Sequence, residues 1–294
     1  MTDQPRLNHV QCVDTPSPTR MALHRMAYWE WGDSANPRVL VCVHGLARQG
    51  RDFDTLARSL STAYRVVCPD VAGRGRSERL ENPLAYQLPQ YVADMVTLLA
   101  RLDAQSVDWV GTSMGGLIGL GVAALPGSPL RRLVLNDIGP AIEASALVRI
   151  GAYLGHPAHW RTLDEAADAL WTISSSFGPH TREQWLALSA PQLAPDGDGF
   201  KPHYDPAIAV PFRAATPEIA QAGEALLWQA YDSLKLPTLL LRGAESDLLS
   251  HATALAMTTR GPRARLVEFA GVGHAPMLVQ PEQAQVVRDF LLAP

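Results

Sequence analysis

In Gly111-Thr112-Ser113-Met114-Gly115 a serine stands between glycines, directly after the apolar run Ser106–Gly111 and directly before a second one, Met114–Leu125. G-x-S-x-G between a predicted strand and a predicted helix reads as a nucleophile elbow, a tight turn that lifts the serine hydroxyl clear of the backbone. The helix behind it points unpaired N–H groups at any negative charge that develops there. A serine hydroxyl is a weak nucleophile, so it needs a base, and the base needs an acid to orient it. Of the nine histidines, His274 is the best base, because it follows the apolar run Ala264–Ala270 within the glycine-rich loop Gly271-Val272-Gly273-His274. His251 is its nearest rival. Asp247, four residues beyond the run Leu236–Gly243, is the expected acid, and Asp137, at the end of Leu130–Asp137, is the alternative. Two backbone donors would hold an oxyanion: the N–H of Met114, and the N–H of Leu46 in the turn His44-Gly45-Leu46. His44 itself reads as a structural turn residue.

These groups have to converge, and the chain pattern supplies a way. Arg38–Gly45, Tyr64–Asp70, Ser106–Gly111, Leu130–Asp137, Leu236–Gly243 and Ala264–Ala270 are short, almost continuous apolar runs, as expected of strands buried on both faces. Helical spacing falls between them, at Asp52–Leu60, Leu88–Leu102, Met114–Leu125, Ser250–Thr259 and Pro281–Leu292. The alternation predicts an α/β fold with a mostly parallel central sheet covered by helices on both faces. Each candidate residue then sits at the carboxyl end of a strand, where such sheets place their sites. The alternation pauses over Ile138–Asp232, too long a stretch for a structureless loop. It predicts a helical insertion, with residues 1–137 and 233–294 as the core and 138–232 as a cap. Ala22–Trp31 reads as a further strand, and residues 1–20 as an arm or a first edge strand.

The ordered set Val43-His44-Gly45-Leu46, Pro69 to Ser77 (PDVAGRGRS), Gly111 to Gly116 (GTSMGG), Leu241 to Asp247 (LRGAESD) and Gly273-His274-Ala275-Pro276 resembles the α/β-hydrolase superfamily across Ala22–Leu292. The resemblance implies an α/β-hydrolase fold with a cap over the site. Esterases, enol-lactonases and carbon–carbon bond hydrolases look similar at this level. The expected reaction is cleavage of a small-molecule carboxylic ester, lactone or thioester through an acyl-enzyme on Ser113. The alternatives are a C–C bond hydrolase or acyltransferase with the same triad, and a non-catalytic ligand-binding module on this fold.

Composition argues against nucleic acid and membrane as partners, which leaves the small-molecule acyl substrate that the site residues and the resemblance imply. The net charge of −4 over 294 residues offers no basic field for nucleic acid or an anionic membrane. No apolar run reaches membrane-spanning length, and the amino terminus has no apolar segment of a secretory signal. Cys12, Cys42 and Cys68 are odd in number and lack C-x-x-C spacing, which points to free thiols and a cytoplasmic protein. No cofactor or metal is implied. Asp196-Gly197-Asp198-Gly199-Phe200 reads as a loop rather than a calcium site, since Phe200 stands where an oxygen ligand is needed. His156 and His159 have no evident third ligand. The tryptophans of the insertion read mainly as cap core, some as pocket wall. Arg48, Arg51, Arg74 and Arg76 lie in loops on the side of the site, either as solvated charges or as recognisers of a substrate carboxylate.

Overall fold

A computed structural model describes residues 4–14, 22–214 and 216–293. Its main sheet is built from β1 (Arg6–Val13), β2 (Leu23–Trp31), β3 (Val39–Val43), β4 (Arg65–Pro69), β5 (Val107–Thr112) and β6 (Leu130–Asn136), then, after the insertion, β9 (Thr238–Gly243) and β10 (Arg265–Phe269). The spatial order is β1-β2-β4-β3-β5-β6-β9-β10. β1 and β2 are antiparallel, as are β2 and β4, and every later pairing is parallel. The amino-terminal arm is thus an edge strand over residues 6–13; its stretch 15–20 lies outside the described residues.

The apolar runs are continuous because both faces of the sheet are covered, with alternate residues serving different cores. In β3, Val39, Val41 and Val43 join the cluster under α2 (Leu88–Leu102) and α3 (Met114–Ala123), with Met95, Leu98 and Ile118. Leu40 and Cys42 point the other way, to α1 (Asp54–Leu60) and α10 (Pro281–Leu292), with Leu56, Leu60, Val287 and Leu291. Each buried Val or Leu contributes about 1.5–3 kcal/mol, so these two layers hold the strand ends, and the site residues with them, in fixed register. The Gly115-x-x-x-Gly119 spacing serves close packing: a Cβ on Gly119 would lie 2.3 Å from Trp109 Nε1, and one on Gly115 would lie 2.0 Å from Val43 O. Helix α3 therefore sits directly on the sheet.

The insertion between β6 and β9 holds α4 (Ala144–Gly151), α5 (Leu163–Ser174), α6 (Arg182–Ser189), β7 (Leu193–Asp196), β8 (Gly199–Pro202), α7 (Ala209–Arg213) and α8 (Pro217–Ser233). It is not wholly helical. The segment read as a loop is an antiparallel hairpin, β7–β8, turned at Gly197 with φ +60°. A proline in each four-residue strand hid it. Trp171 and Trp185 stack edge to face in a small separate core, whereas Trp160 faces the cavity described below. Helix α8 packs against α3, and its Tyr231 is buried in the main core, donating to Met257 O at 2.6 Å in α9 (His251–Thr259). Just before α7, Asp205 ties the insertion down: its N–H donates to Gly73 O at 2.7 Å, and its carboxylate accepts from Tyr86 Oη at 2.7 Å. No helix among the described residues is long and apolar enough to cross a membrane.

Candidate active site

Ser113 follows β5 with φ +53° and ψ −120°, a conformation that a non-glycine residue rarely adopts. Its N–H donates to Asn136 O at 3.0 Å, and Gly116 and Leu117 donate to its carbonyl. The turn therefore stays closed while the hydroxyl faces outward. His274, in the loop after β10, places Nε2 at 2.9 Å from Ser113 Oγ and Nδ1 at 2.8 Å from Asp137 Oδ2. With a carboxylate at Nδ1, the proton sits there, and Nε2 is left to accept from the serine.

Asp137, not Asp247, lies on the imidazole, which corrects the expected position of the acid. Asp137 leaves β6 with φ +55°, a left-handed turn that aspartate tolerates, and it is fully buried. Its carboxylate also accepts from Gly243 N at 2.8 Å and from Ser246 Oγ at 2.6 Å. Together with His274 these are three donors, enough to offset the burial of its charge. Asp247 instead faces solvent and forms a two-point ion pair with Arg149 of α4, at 2.6 and 2.9 Å. An ion pair this exposed contributes at most about 1 kcal/mol.

Two further residues organise the site, and sequence reasoning missed both. Asn136 donates to Thr112 Oγ1 at 2.9 Å and to Pro276 O at 2.7 Å, clamping the serine turn to the histidine loop. Ser176, from the insertion, donates to His274 O at 3.0 Å, and its carbonyl accepts from Gly273 N at 2.6 Å. Neither has a local sequence signature, since each joins segments far apart in the chain.

His44 is structural. It is buried, Val71 N–H donates to its Nε2 at 2.9 Å, and its Nδ1 lies 2.7 Å from Gly45 O, so Nδ1 carries the proton. Burial pushes its pKa down to about 3. An unfolded histidine titrates near 6.5. The folded protein therefore keeps this histidine neutral, and its contribution is fully present above about pH 6.5 and lost as pH falls toward 3. Between pH 6 and pH 4, the unfolding free energy of the wild type is expected to fall more steeply than that of His44→Gln, by up to about 1.4 kcal/mol per pH unit. Urea titrations at several pH values check this, and parallel slopes would refute it.

Ser113 and His274 open on a cavity of about 320 Å³, within the range of small-molecule pockets. Leu46 forms part of its wall, while Ile150, Tyr153, Trp160 and Phe177 of the insertion supply much of the rest. Of the four loop arginines, Arg48 alone reaches the cavity, and both oxygens of Asp52 hold it at 2.7 Å. Arg51 pairs with Asp54 and lies over the Trp29 ring. Arg74 is buried, donating to Leu46 O at 2.9 Å and to Ala72 O at 2.7 Å, which fixes the turn holding Leu46. Arg149, not singled out from the sequence, is the cavity's second arginine.

Among the described residues, one cluster has donor atoms close enough to hold a metal: Cys12, His24 and Asp94, on the edge hairpin and α2. There His24 already engages Asp14 through Nδ1 and Asp94 through Nε2 at 3.2 Å, and Gln90 holds the other Asp94 oxygen at 2.7 Å. Burial lowers the His24 pKa, but the hydrogen bonds and charges of Asp94 and Asp14 outweigh it and the net shift is upward. The cluster is a closed ion-pair network within the core.

A strained serine turn, a histidine hydrogen-bonded to it and a buried aspartate, all at strand ends of a doubly covered sheet, define a serine-hydrolase type of site on an α/β frame. The family model of the alpha/beta hydrolase fold matches residues 38–281, and the chain belongs to that family as an ester-cleaving hydrolase. It is 56% identical over 294 residues to a 3-hydroxybutyrate-oligomer hydrolase of Cupriavidus necator, covering 99% of each chain. Among solved structures, a protein of Rickettsia typhi superposes with a TM-score of 0.87 at 29% identity, over 97% of this chain and 98% of that one. An alpha/beta hydrolase of Novosphingobium aromaticivorans gives 0.82 at 33% identity, over 98% of both.

Proposed function

We propose that this chain cleaves the ester bonds of short 3-hydroxybutyrate oligomers through an acyl-enzyme on Ser113. The hydrogen-bond chain Ser113–His274–Asp137, opening on a largely apolar cavity, carries the reading. Ser113 Oγ attacks the ester carbonyl while His274 Nε2 takes its proton. Asp137 holds the imidazole with its Nδ1 proton inward and stabilises the imidazolium that forms. The tetrahedral oxyanion rests on the N–H groups of Met114 and Leu46. Met114 is the first residue of α3, where helix amides lack intrahelical partners, and Leu46 lines the cavity in a turn fixed by Arg74. Collapse of the intermediate breaks the ester C–O bond, and the proton on His274 passes to the leaving alkoxide oxygen. Water, giving a proton to His274, then attacks the acyl carbonyl; the bond to Ser113 Oγ breaks, that proton passes to Oγ, and the acid is released.

Residues 144–204 act as the cap, since that part of the insertion contributes cavity wall above Ser113, whereas α8 belongs with the core helices. The buried free thiols of Cys12, Cys42 and Cys68 accord with work in a reducing cytoplasm. The test is a panel of linear 3-hydroxybutyrate dimer and trimer, p-nitrophenyl esters of increasing chain length, and lactones, with released monomer followed by chromatography. The oligomers should give the highest kcat/KM. A preference for lactones, or p-nitrophenyl turnover with intact oligomers, would overturn the assignment of substrate.

A further inference from the structure

We infer that Arg149 reads the free carboxylate of the substrate, so that the enzyme selects carboxylate-terminated oligoesters over their neutral esters; this rests on the function proposed above. Two arginines and one aspartate are, histidines and tyrosines aside, the ionisable side chains of the cavity wall. Arg48 and Asp52 cancel each other through a two-point pair inside that wall. Arg149 is different, because its partner Asp247 stands outside the wall, on the β9–α9 loop. The cavity therefore carries one positive charge that nothing within its own wall balances, beside apolar surface from Ile150 and Leu170.

The guanidinium can serve two carboxylates. It has five N–H donors; Asp247 engages Nε and Nη2, and Tyr153 of the cavity wall is a further neighbour within hydrogen-bonding reach that a carboxylate would share. The existing pair is also weak: the side chains of Arg149 and Asp247 are 38% and 41% exposed, so water screens their attraction. A substrate carboxylate drawn in beside apolar walls meets less screening and gains the planar two-point geometry that arginine offers. An oligomer of a hydroxy acid has this shape, an apolar backbone of ester links ending in one anionic group. Arg149 is a specificity residue in this account, remote from the reacting atoms.

The experiment compares 3-hydroxybutyrate dimer as free acid with its methyl ester, for the full chain at fixed ionic strength. The wild type should prefer the acid. Arg149→Met should lower the acid-to-ester ratio of kcat/KM by about 10- to 100-fold, as expected for loss of a charge-assisted hydrogen-bonded pair, and Arg149→Lys should recover part of it. Asp247→Asn, which frees the guanidinium without removing it, should leave the ratio unchanged or raise it. An unchanged ratio in Arg149→Met, or a fall in Asp247→Asn, would overturn the inference, and the second variant decides even where the first folds poorly. If the wild type cleaves methyl ester and acid equally well, Arg149 is not the reader but the oligomer reading stands. If it cleaves neither while turning over p-nitrophenyl butyrate, both fall.

Discussion

Ser113→Ala is expected to slow p-nitrophenyl butyrate hydrolysis by about 10⁵- to 10⁶-fold, because nucleophile and base act as one unit and the loss of either removes nearly all of their contribution. Folding should be little affected, since one partly exposed hydroxyl is removed and alanine must adopt the same backbone. Ser113→Gly should be equally inactive yet melt at a higher temperature. At φ +53° a side chain is strained, and glycine relieves about 1 kcal/mol of that strain. Single-turnover assays and thermal melts of the three proteins check both halves. A serine-directed phosphonate should label Ser113 in the wild type. Labelling at another serine, or retained turnover in Ser113→Ala, would remove the acyl-enzyme mechanism.

The second large effect separates two aspartates. Asp137→Asn should lower kcat by about 10⁴-fold. Asparagine can offer its amide N–H to Nδ1, which favours the imidazole tautomer carrying its proton on Nε2, where the serine needs an acceptor. Asp247→Asn should change kcat for a neutral ester by less than about threefold, since it breaks only an exposed ion pair. Steady-state kinetics on p-nitrophenyl butyrate distinguish the two. A collapse in Asp247→Asn with near-normal rates in Asp137→Asn would mean that the acid is delivered from the β9–α9 loop during turnover.

Why the sequence pointed to the wrong aspartate can be stated physically. β6 and β9 are neighbours in the sheet, with Asn136 opposite Leu241. Residues just beyond either strand therefore approach the same histidine, and chain order alone does not choose between them. Burial chooses. A triad acid must be shielded, and Asp137 is fully buried at the end of its strand, while Asp247 stands exposed four residues beyond β9. That contrast arises from packing, since both aspartates are followed by apolar residues, Ile138 in one case and Leu248-Leu249 in the other, and the local sequence does not separate them. The serine elbow and His274 were legible because their constraints are local: small residues where backbones crowd, and glycines around a loop histidine. The strands were legible because burial on both faces leaves no polar alternation. The tether from Asn136, the Ser176 contact and the cavity position of Arg149 were not, because each joins segments far apart in the chain: Asn136 ties two strand ends to the histidine loop, and the other two depend on how the insertion folds back over the sheet.

The anchoring of Asp205 bears on how such enzymes exchange specificities. The covering segment leaves the sheet just after Asp137 and is fastened again at Asp205, by Gly73 and Tyr86, before α8 rejoins the core layer. A recombination that replaces the chain between Pro140 and Tyr204 would import a new substrate chamber while leaving the acid and the fastening point in place, provided the incoming segment keeps the core contacts of Ala146, Ile150 and Leu154 and the hold of Ser176 on the histidine loop. Breakpoints placed at β6 and β9 would instead remove α8 and uncover α3. Asp205 thus marks the downstream border of the transferable unit, and chimaeras spliced there should fold where those spliced at β9 do not.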